Sequence, residues 1–244
     1  MLLATVMTIV LSISFKSVTE TQITKLEEES QKALAAAESA IEAALKENAT
    51  ATIGFGSLSS ITGFTGEAVI DTATSTKFTS PSIIKDGSYT FYLGDYSLTT
   101  KTIGASTAQT ITLCFQSGTI NPAIEVTLVK SSGVKKYMID DPLSSRITNA
   151  LNASTICLPN SSYGFSTVIP GDAATGIGTD GQFLLVRVLY ASTRLFFSRS
   201  SALPLQGRTI SSQATSETST GVSKKVVLFQ SYPQIPGEFF TTAF

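Results

Sequence analysis

The sequence contains no histidine and no tryptophan, and it has only two cysteines. Without imidazole, the chain cannot form a Ser-His-Asp triad, a His-ligated zinc site or a His-ligated haem. Two thiols also cannot complete a four-cysteine zinc site. Carboxylates, lysines, tyrosines and hydroxyls are the groups left for catalysis, so we expect neither an enzyme nor a bound cofactor or metal.

Charge is scarce as well: 14% of the 244 residues are charged, against about 25% in an average soluble domain. The 17 basic and 18 acidic residues leave a formal net charge of -1. Such a balance creates no global field that would attract nucleic acid or acidic lipid. We therefore expect no specific nucleic-acid partner.

Glycine is absent before Gly54, and the first proline is Pro81. Nothing in residues 1–53 therefore interrupts a helix, and residues 16–48 are rich in Ala, Glu and Lys, which are strong helix formers. The sequence predicts one continuous helix from near Met1 to about Asn48. We accordingly divide the chain into an N-terminal helical segment, residues 1–53, and a remainder, residues 54–244.

Residues 1–15, MLLATVMTIVLSISF, carry no charged side chain. This run is compatible with a buried core helix, or with a signal-peptide core cleaved after Ser12-Ile13-Ser14. It is short for a bilayer span, since fifteen helical residues cover only about 22 Å of a core about 30 Å thick. Because helix-forming sequence continues beyond the run without a break, we favour a continuous helix from membrane to surface.

A narrow apolar stripe continues along the second half of the predicted helix. Its members recur at about 3.6-residue steps: Ile23, Leu26, Ala33, Ala37, Ile41 and Ala44. Glu28 with Lys32 and Glu42 with Lys46 stand in the favourable i,i+4 order on the other side. We expect this stripe to be shared between the remainder of the same chain and neighbouring helices.

After Gly54 the composition shifts to Ser, Thr and Gly with β-branched and aromatic residues. The predicted strands are residues 67–71, 89–93, 110–116, 123–130, 135–140, 182–190, 193–199 and 224–231. Residues 54–66, 72–88, 142–181 and 200–223 are expected to be loops. The expected fold class is α+β: a long helical stalk followed by a mainly antiparallel β head, either a sandwich or a curved mixed sheet of about eight strands.

Three short connections resemble hairpin turns: Asn121-Pro122, Ser132-Gly133 and Ala191-Ser192. If the last is a hairpin, Arg187, Arg194 and Arg199 lie on it and could join Arg208, Lys224 and Lys225 in a basic patch. The alternative is a solvated sheet face with mixed counterions.

Few motifs point to chemistry. Gly176, Gly178 and Gly181 match G-x-G-x-x-G, but a strand pattern rather than a helix follows, so we expect a turn-rich loop and not a phosphate cradle. Asp172 and Asp180 in that loop match no established calcium site. The carboxylates that a hydrolase could use are Glu67, Glu125, Asp140 and Asp141, of which the Asp141-Pro142 pair is more typical of a turn.

The two cysteines, Cys114 and Cys157, form one disulfide in a secreted domain or remain separate buried thiols in a cytosolic one. The membrane-type helix ahead of them favours the disulfide. Three short segments also match the N-glycosylation pattern, which is common by chance: they begin at Asn48, Asn152 and Asn160.

The layout resembles a mature type IV pilin: the uncharged MLLATVMTIVLSISF runs without a break into the amphipathic KLEEESQKALAAAESAIEAAL and then into a Ser/Thr-rich β region. The low-charge head is similar in character to those of archaeal pilins and archaellins. Bacterial members have a Glu at the fifth mature position, where this chain has Thr5, and its first acidic residue is Glu20. Either residues precede Met1 in the precursor, or the subunit finds its register without that charge.

The resemblance implies a lollipop-shaped structural subunit of an extracellular filament at the cell surface, anchored in the cytoplasmic membrane before assembly. The implied partners are copies of itself, other pilins and the pilus assembly machinery. We expect the filament contacts to be made by residues Leu2, Leu3, Val6, Met7, Ile9, Val10, Leu11, Ile13 and Phe15. The competing hypothesis is a single-pass surface adhesin or ligand-binding β domain that does not polymerise; either way, a head fragment beginning near Gly54 is expected to fold.

Overall fold

A computed structural model describes residues 2–144, 146–218 and 221–240. Over these residues the chain forms one α-helix, α1 (Leu2–Glu47), two short 3-10 helices (Gly56–Leu58 and Gly237–Phe240) and thirteen strands. The strands are β1 (Ala51–Thr52), β2 (Phe64–Asp71), β3 (Lys77–Thr79), β4 (Ser88–Tyr92), β5 (Ile111–Phe115), β6 (Ala123–Lys130), β7 (Gly133–Asp140), β8 (Leu151–Asn152), β9 (Phe165–Ile169), β10 (Gly181–Leu189), β11 (Leu195–Ser198), β12 (Gly207–Ser216) and β13 (Ser223–Ser231). The α+β class is confirmed.

Helix α1 is 46 residues long and confirms the prediction of one uninterrupted N-terminal helix. The weak point is its Ser/Thr-rich stretch, where hydroxyls compete for backbone bonds. There the hydroxyls of Thr19, Thr21 and Thr24 donate to the carbonyl four residues earlier, at 2.8 to 2.9 Å, without interrupting the helix. The helix ends where Asn48 adopts a left-handed conformation (φ 52°), which is a common way to terminate a helix.

The chain forms two compact units, and their boundaries differ from the division at residue 53. The first comprises the described residues of Met1–Thr72 together with Arg208–Gln230, and the second those of Ala73–Gly207 together with Ser231–Phe244. Residues 51–72 and 208–230 therefore belong with the helix, because they form the sheet on which it packs.

The first unit is α1 and a four-stranded sheet in the order β1-β2-β12-β13. The second half of α1 packs its alanines on the inner face of this sheet. Small side chains on both sides allow a close approach of helix and sheet. The residues of this shared core include Ala36, Ala37, Ala40, Ile41 and Ala44 of the helix and Ala68, Ile210 and Ala214 of the strands.

The second unit is a β-sandwich. One sheet has the order β4-β10-β6-β7-β8 and the other β3-β11-β5-β9. Among the described residues of this unit, the paired strands are antiparallel except β7 with β8. The inner faces share one core, in which Phe91 of the first sheet stacks on Phe197 of the second with ring centroids 4.0 Å apart.

The hairpin predictions are partly wrong. The turn at Ser132-Gly133 does connect paired strands, β6 and β7. The connections at Asn121-Pro122 and Ala191-Ser192 instead cross from one sheet to the other, since β5 and β6, like β10 and β11, lie in different sheets. The chain turns sharply at both places, but it pairs with strands that are distant in sequence.

The structure contains five strands that the sequence patterns did not indicate. Four lie in predicted loops, with β8 and β9 within residues 142–181, β3 within 72–88 and β12 within 200–223, and the fifth, β1, lies at the end of the predicted helical segment 1–53. Strand β12, GRTISSQATS, shows why: its buried positions include Ser212 and Ala214, which carry little of the β-branched or aromatic pattern.

Candidate assembly surface and other candidate sites

The residues from Ser14 to Glu28 project from α1 without cover from the other described residues. Each of them is exposed. Of the expected filament contacts, Met7 is 64% and Phe15 68% exposed. The side chains of the others lie outside those that the structure describes: Leu2, Leu3, Val6, Ile9, Val10, Leu11 and Ile13.

The exposed apolar residues of α1 stand on the same helix face as the buried ones. Eighteen residues make about five full turns of an α-helix, so positions eighteen apart share one direction. Four apolar pairs have this spacing, and in each the earlier member is exposed and the later one buried: Phe15 with Ala33, Val18 with Ala36, Ile23 with Ile41, and Leu26 with Ala44.

The two halves of this face differ in side-chain size. The buried half consists mostly of alanine, which fits against the sheet of the same unit. The exposed half carries Phe15, Val18, Ile23 and Leu26, which are between 42% and 68% exposed. Burying one such side chain contributes about 1.5–3 kcal/mol. We call these four residues the exposed stripe; it is an apolar surface suited to a second helix.

The predicted stripe lies on this apolar face of α1, but it omitted Val18. Its later members, Ala33, Ala37, Ile41 and Ala44, are buried, whereas Ile23 and Leu26 are exposed. Val18 was missed because it stands among serines and threonines. The eighteen-residue spacing to Ala36 was the pattern that could have identified it.

Charged pairs flank the apolar face of α1. Lys16 lies 3.8 Å from Glu20, and Lys32 lies 2.6 Å from Glu28, confirming that pair. These are solvent-exposed i,i+4 pairs, each worth a few tenths of a kcal/mol. Their contribution to helix stability is small, but they mark surface of the helix that lies in water.

No helix of the described residues is long and apolar enough to cross a bilayer. Of the first thirteen side chains, the described set includes only that of Met7.

The predicted disulfide is confirmed. Cys114 of β5 and Cys157 are bonded, with their Cα atoms 5.9 Å apart. Both are buried beside Tyr163 and Phe196. The bond ties residues 153–164, which lack long strands, to the centre of a sheet.

The carboxylates considered for hydrolysis have structural partners in the second unit. Asp140 is buried and ion-paired with Arg146, whose guanidinium also donates to the Asn121 carbonyl at 2.9 Å and lies 4.3 Å from the centre of the Tyr190 ring. Asp141 accepts a 2.7 Å hydrogen bond from Asn121. This cluster attaches the segment after β7 to the sandwich.

The remaining two carboxylates, Glu125 and Glu67, lie on other strands. Glu125 pairs with Lys136 at 3.3 Å across neighbouring strands β6 and β7. Glu67 stands on β2 in the first unit. Among the described residues, Asp140, Asp141 and Glu125 each have a partner of their own, which is Arg146, Asn121 and Lys136 respectively.

Burial and hydrogen bonding act in opposite directions on Asp140. Burial raises the pKa of its carboxyl. Hydrogen bonds from Arg146, the Asp141 N–H and Ser144 lower this pKa and together outweigh the effect of burial. The net pKa lies below the usual value of 3.8, so the carboxylate is ionised at neutral pH. A group that remains charged and paired serves as an anchor, not as a general acid.

The G-x-G-x-x-G segment is a clamped turn, as expected. The buried Lys130 ammonium donates to the carbonyls of Ala173 (2.9 Å) and Gly176 (3.1 Å) and pairs with Asp180 at 3.1 Å. A Cβ atom at Gly176 would lie 1.8 Å from the Pro170 carbonyl oxygen, which explains the glycine. Strand β10, not a helix, follows the segment, so it lacks the helix N-terminus that a phosphate site needs.

The two aspartates of this loop are already engaged. Asp172 accepts hydrogen bonds from the N–H and the hydroxyl of Thr175, both at 2.6 Å. Asp180 binds Ser132 and Lys130, which lower the pKa of its carboxyl. Within the described part of the chain, no group of three or more His, Cys, Asp or Glu side chains could hold a metal ion.

The basic residues do not share one hairpin, because β10, which carries Arg187, and β11, next to Arg194, lie in different sheets. Arg199 donates to the Thr107 hydroxyl at 2.7 Å and to the Ser201 carbonyl at 3.3 Å. Arg208, Lys224 and Lys225 belong to the first unit. Arg208 there binds Asn48 and Gln230.

Comparisons with known proteins add no relative to this picture. No protein-family model matches the chain, and no curated protein matches it significantly. The candidate assembly surface is therefore argued from the geometry of α1 alone.

Proposed function

We propose that this chain is a structural subunit of an extracellular, type IV pilus-like filament, in which copies associate through the N-terminal part of α1. The observation that carries the proposal is the continuation of one apolar face along α1, exposed from Phe15 to Leu26 and buried from Ala33 to Ala44. Water penalises an exposed stripe of large apolar side chains, so the stripe is expected to meet lipid or another helix.

The chemistry of the rest of the chain supports a structural role. The carboxylates of the second unit form anchors, and its buried lysine clamps a loop. A disulfide fits a protein exposed outside the cytoplasm. Under this proposal the chain is held in the cytoplasmic membrane before assembly and is handled by a pilus assembly machinery, with copies of itself and other pilins as partners.

The test is to purify surface appendages from cells that make the protein and to identify their repeating subunit by mass spectrometry. The matched experiment expresses a chain lacking residues 2–15 in the same cells. We expect filaments built from the full chain and none from the shortened one, which should still fold. Filaments of normal diameter from the shortened chain would overturn the proposal. Full-length chains found singly in the membrane, without filaments, would favour the adhesin.

A further inference from the structure

Residues 151–154 join the edges of the two sheets of the sandwich. Strand β8 is the edge strand of its sheet and runs parallel to β7, with Asn152 opposite Asp140. The Ala153 N–H donates to the Asp140 carbonyl at 2.9 Å. Ser154 then pairs with Ser166 of β9, the edge strand of the other sheet, through two backbone hydrogen bonds of 2.8 and 2.9 Å. The segment is therefore extended and fixed at both ends.

Side chains alternate along this segment, as in a strand. Ala153 is 4% exposed and lies in the sandwich core, whereas Asn152 and Ser154 are both exposed. Because residues two apart in an extended chain point to the same side, the Asn152 amide and the Ser154 hydroxyl are presented together to solvent. Asn152-Ala153-Ser154 is also one of the three N-glycosylation patterns in the sequence.

Among the described residues, no hydrogen bond, ion pair or ring contact involves the Asn152 side chain. An exposed asparagine in a strand is otherwise unfavourable, because this residue type is depleted in strands. The backbone alone explains why the segment is extended, and it leaves the amide unexplained.

The other two patterns differ in this respect. Asn48 terminates α1 in a left-handed conformation, and its side-chain oxygen accepts a hydrogen bond from Arg208. Asn160 is half-buried in a turn, where its side-chain oxygen accepts the Ser162 N–H at 3.1 Å. Both asparagines therefore have a local structural role that favours this residue type without any modification.

We infer that Asn152 is the acceptor of an N-linked glycan. The co-reactant is a sugar activated as a phosphate ester, supplied with a glycosyltransferase. The Asn152 Nδ2 atom forms a bond to the anomeric carbon of the sugar, the bond from that carbon to the phosphate oxygen breaks, and the Nδ2 proton passes to a base. The phosphate leaves with the bonding electron pair, so no oxidant or reductant is needed.

A glycan at this place has a physical use. Strand β8 is an open sheet edge, and the neighbouring side chains of Leu151 and Ile156 are 51% and 60% exposed. Open edges with apolar side chains favour unwanted strand pairing between molecules. A bulky hydrophilic group on Asn152 blocks that approach. The inference rests on the proposed function in one respect: the chain must be exported to meet the enzyme.

The experiment uses full-length protein purified from the cells that naturally make it, with glycopeptide and intact-mass analysis. We expect a glycan on Asn152 in the natural protein, complete loss in Asn152→Gln and Ser154→Ala, and retention in Ser154→Thr, which keeps the hydroxyl. The matched controls Asn48→Gln and Asn160→Gln should retain the Asn152 glycan.

An unmodified Asn152 in the natural protein would overturn the inference, whether or not Asn48 or Asn160 carries a glycan. Retention of the Asn152 glycan in Ser154→Ala would overturn the role given to the Ser154 hydroxyl. Filament formation is scored separately on the same samples. Filaments of the natural protein that lack the Asn152 glycan refute this inference alone. A natural chain that is glycosylated on Asn152 but never forms filaments refutes the proposed function alone.

Discussion

Ile41 and Ile23 occupy the same face of α1, about five turns apart, yet Ile41 is 5% exposed and Ile23 50%. The same side chain is therefore in a protein core at one level of the helix and in water at another. The sheet of the first unit covers the later level, through Ala68, Ile210 and Ala214 among others. The earlier level is exposed among the described residues, and this difference underlies the first two predictions.

Placing a charge in the exposed stripe should prevent filament assembly. Val18→Asp introduces a carboxylate where we expect a neighbouring helix, and burying an unpaired charge costs several kcal/mol. Ser17→Asp is the matched control, since Ser17 is adjacent in sequence but lies almost opposite Phe15 around the helix. We expect electron microscopy to show no filaments with the first variant and normal filaments with the second. Equal behaviour of the two would argue against the stripe as the contact.

Truncation should separate the two units. A chain beginning at Glu28 keeps the buried half of α1 and should remain folded. A chain beginning at Gly54 loses β1 and the helix cover of Ala68, Ile210 and Ala214. We therefore predict that the Gly54 fragment, unlike the Glu28 fragment, lacks the packing that holds the sheet of the first unit.

Hydrogen exchange measured along the chain checks this prediction. The Gly54 fragment should lose amide protection in β2 and β12 and keep it in β6 and β10, whose core lies within the sandwich. The Glu28 fragment serves as the control and should protect all four strands. Full protection of β12 in the shorter fragment would contradict the packing argument.

Reducing the disulfide should destabilise the second unit. The two cysteines are 43 residues apart in sequence, and the loss of this cross-link lowers the free energy of unfolding by about 4 kcal/mol on chain-entropy grounds. Urea unfolding with and without reductant measures the change, while the helical signal in circular dichroism should persist. No change in the unfolding midpoint would show that the packing of Tyr163 and Phe196 is sufficient without the bond.

Removing the buried ammonium should release the glycine-rich turn. In Lys130→Met the carbonyls of Ala173 and Gly176 lose their donor and Asp180 its cation, which we expect to cost about 2–4 kcal/mol. Lys135→Met is the matched control, because Lys135 donates to a single carbonyl, that of Ala174, at the surface. Thermal unfolding of both variants makes the comparison. An equal fall in the melting temperature of the two variants would contradict the argument that Lys130 holds the turn.

The Asp140–Arg146 pair should make the second unit sensitive to acid. The folded-state pKa of Asp140 is below its usual value, so the pair contributes fully at pH values above about 4, the unfolded pKa. That stabilisation is lost as the pH falls through the lower, folded-state pKa. In Arg146→Met only burial and weaker hydrogen bonds remain, so this loss should shrink or reverse.

Unfolding free energies measured from pH 6 to pH 2 test the sign. At neutral pH we expect Arg146→Met to be less stable by about 2–4 kcal/mol, because a buried carboxylate loses its cation. The exposed Arg194 provides the control Arg194→Met, which should follow the parent protein. Parallel pH curves for all three proteins would contradict the pairing argument.

Local rules in the sequence were enough for the elements themselves. The absence of Gly and Pro before Gly54, together with helix-forming residues, determined α1. Alternating and β-branched runs determined most strands, and strand β6 coincides with its predicted range, Ala123–Lys130. With only two cysteines, a single intramolecular pairing was possible, so exposure to an oxidising compartment was the one remaining question.

Only the tertiary structure decided which elements meet. A turn at Ala191-Ser192 looks the same whether the next strand pairs locally or enters the other sheet, because pairing depends on distant strands. Strand β12 is held by its neighbours and not by its own Ser-rich pattern. For the same reason the sequence presented three equivalent glycosylation patterns and one uniform apolar stripe. Side-chain hydrogen bonds set Asn48 and Asn160 apart from Asn152, and burial set the exposed stripe apart from the later positions of α1 that pack on its own sheet.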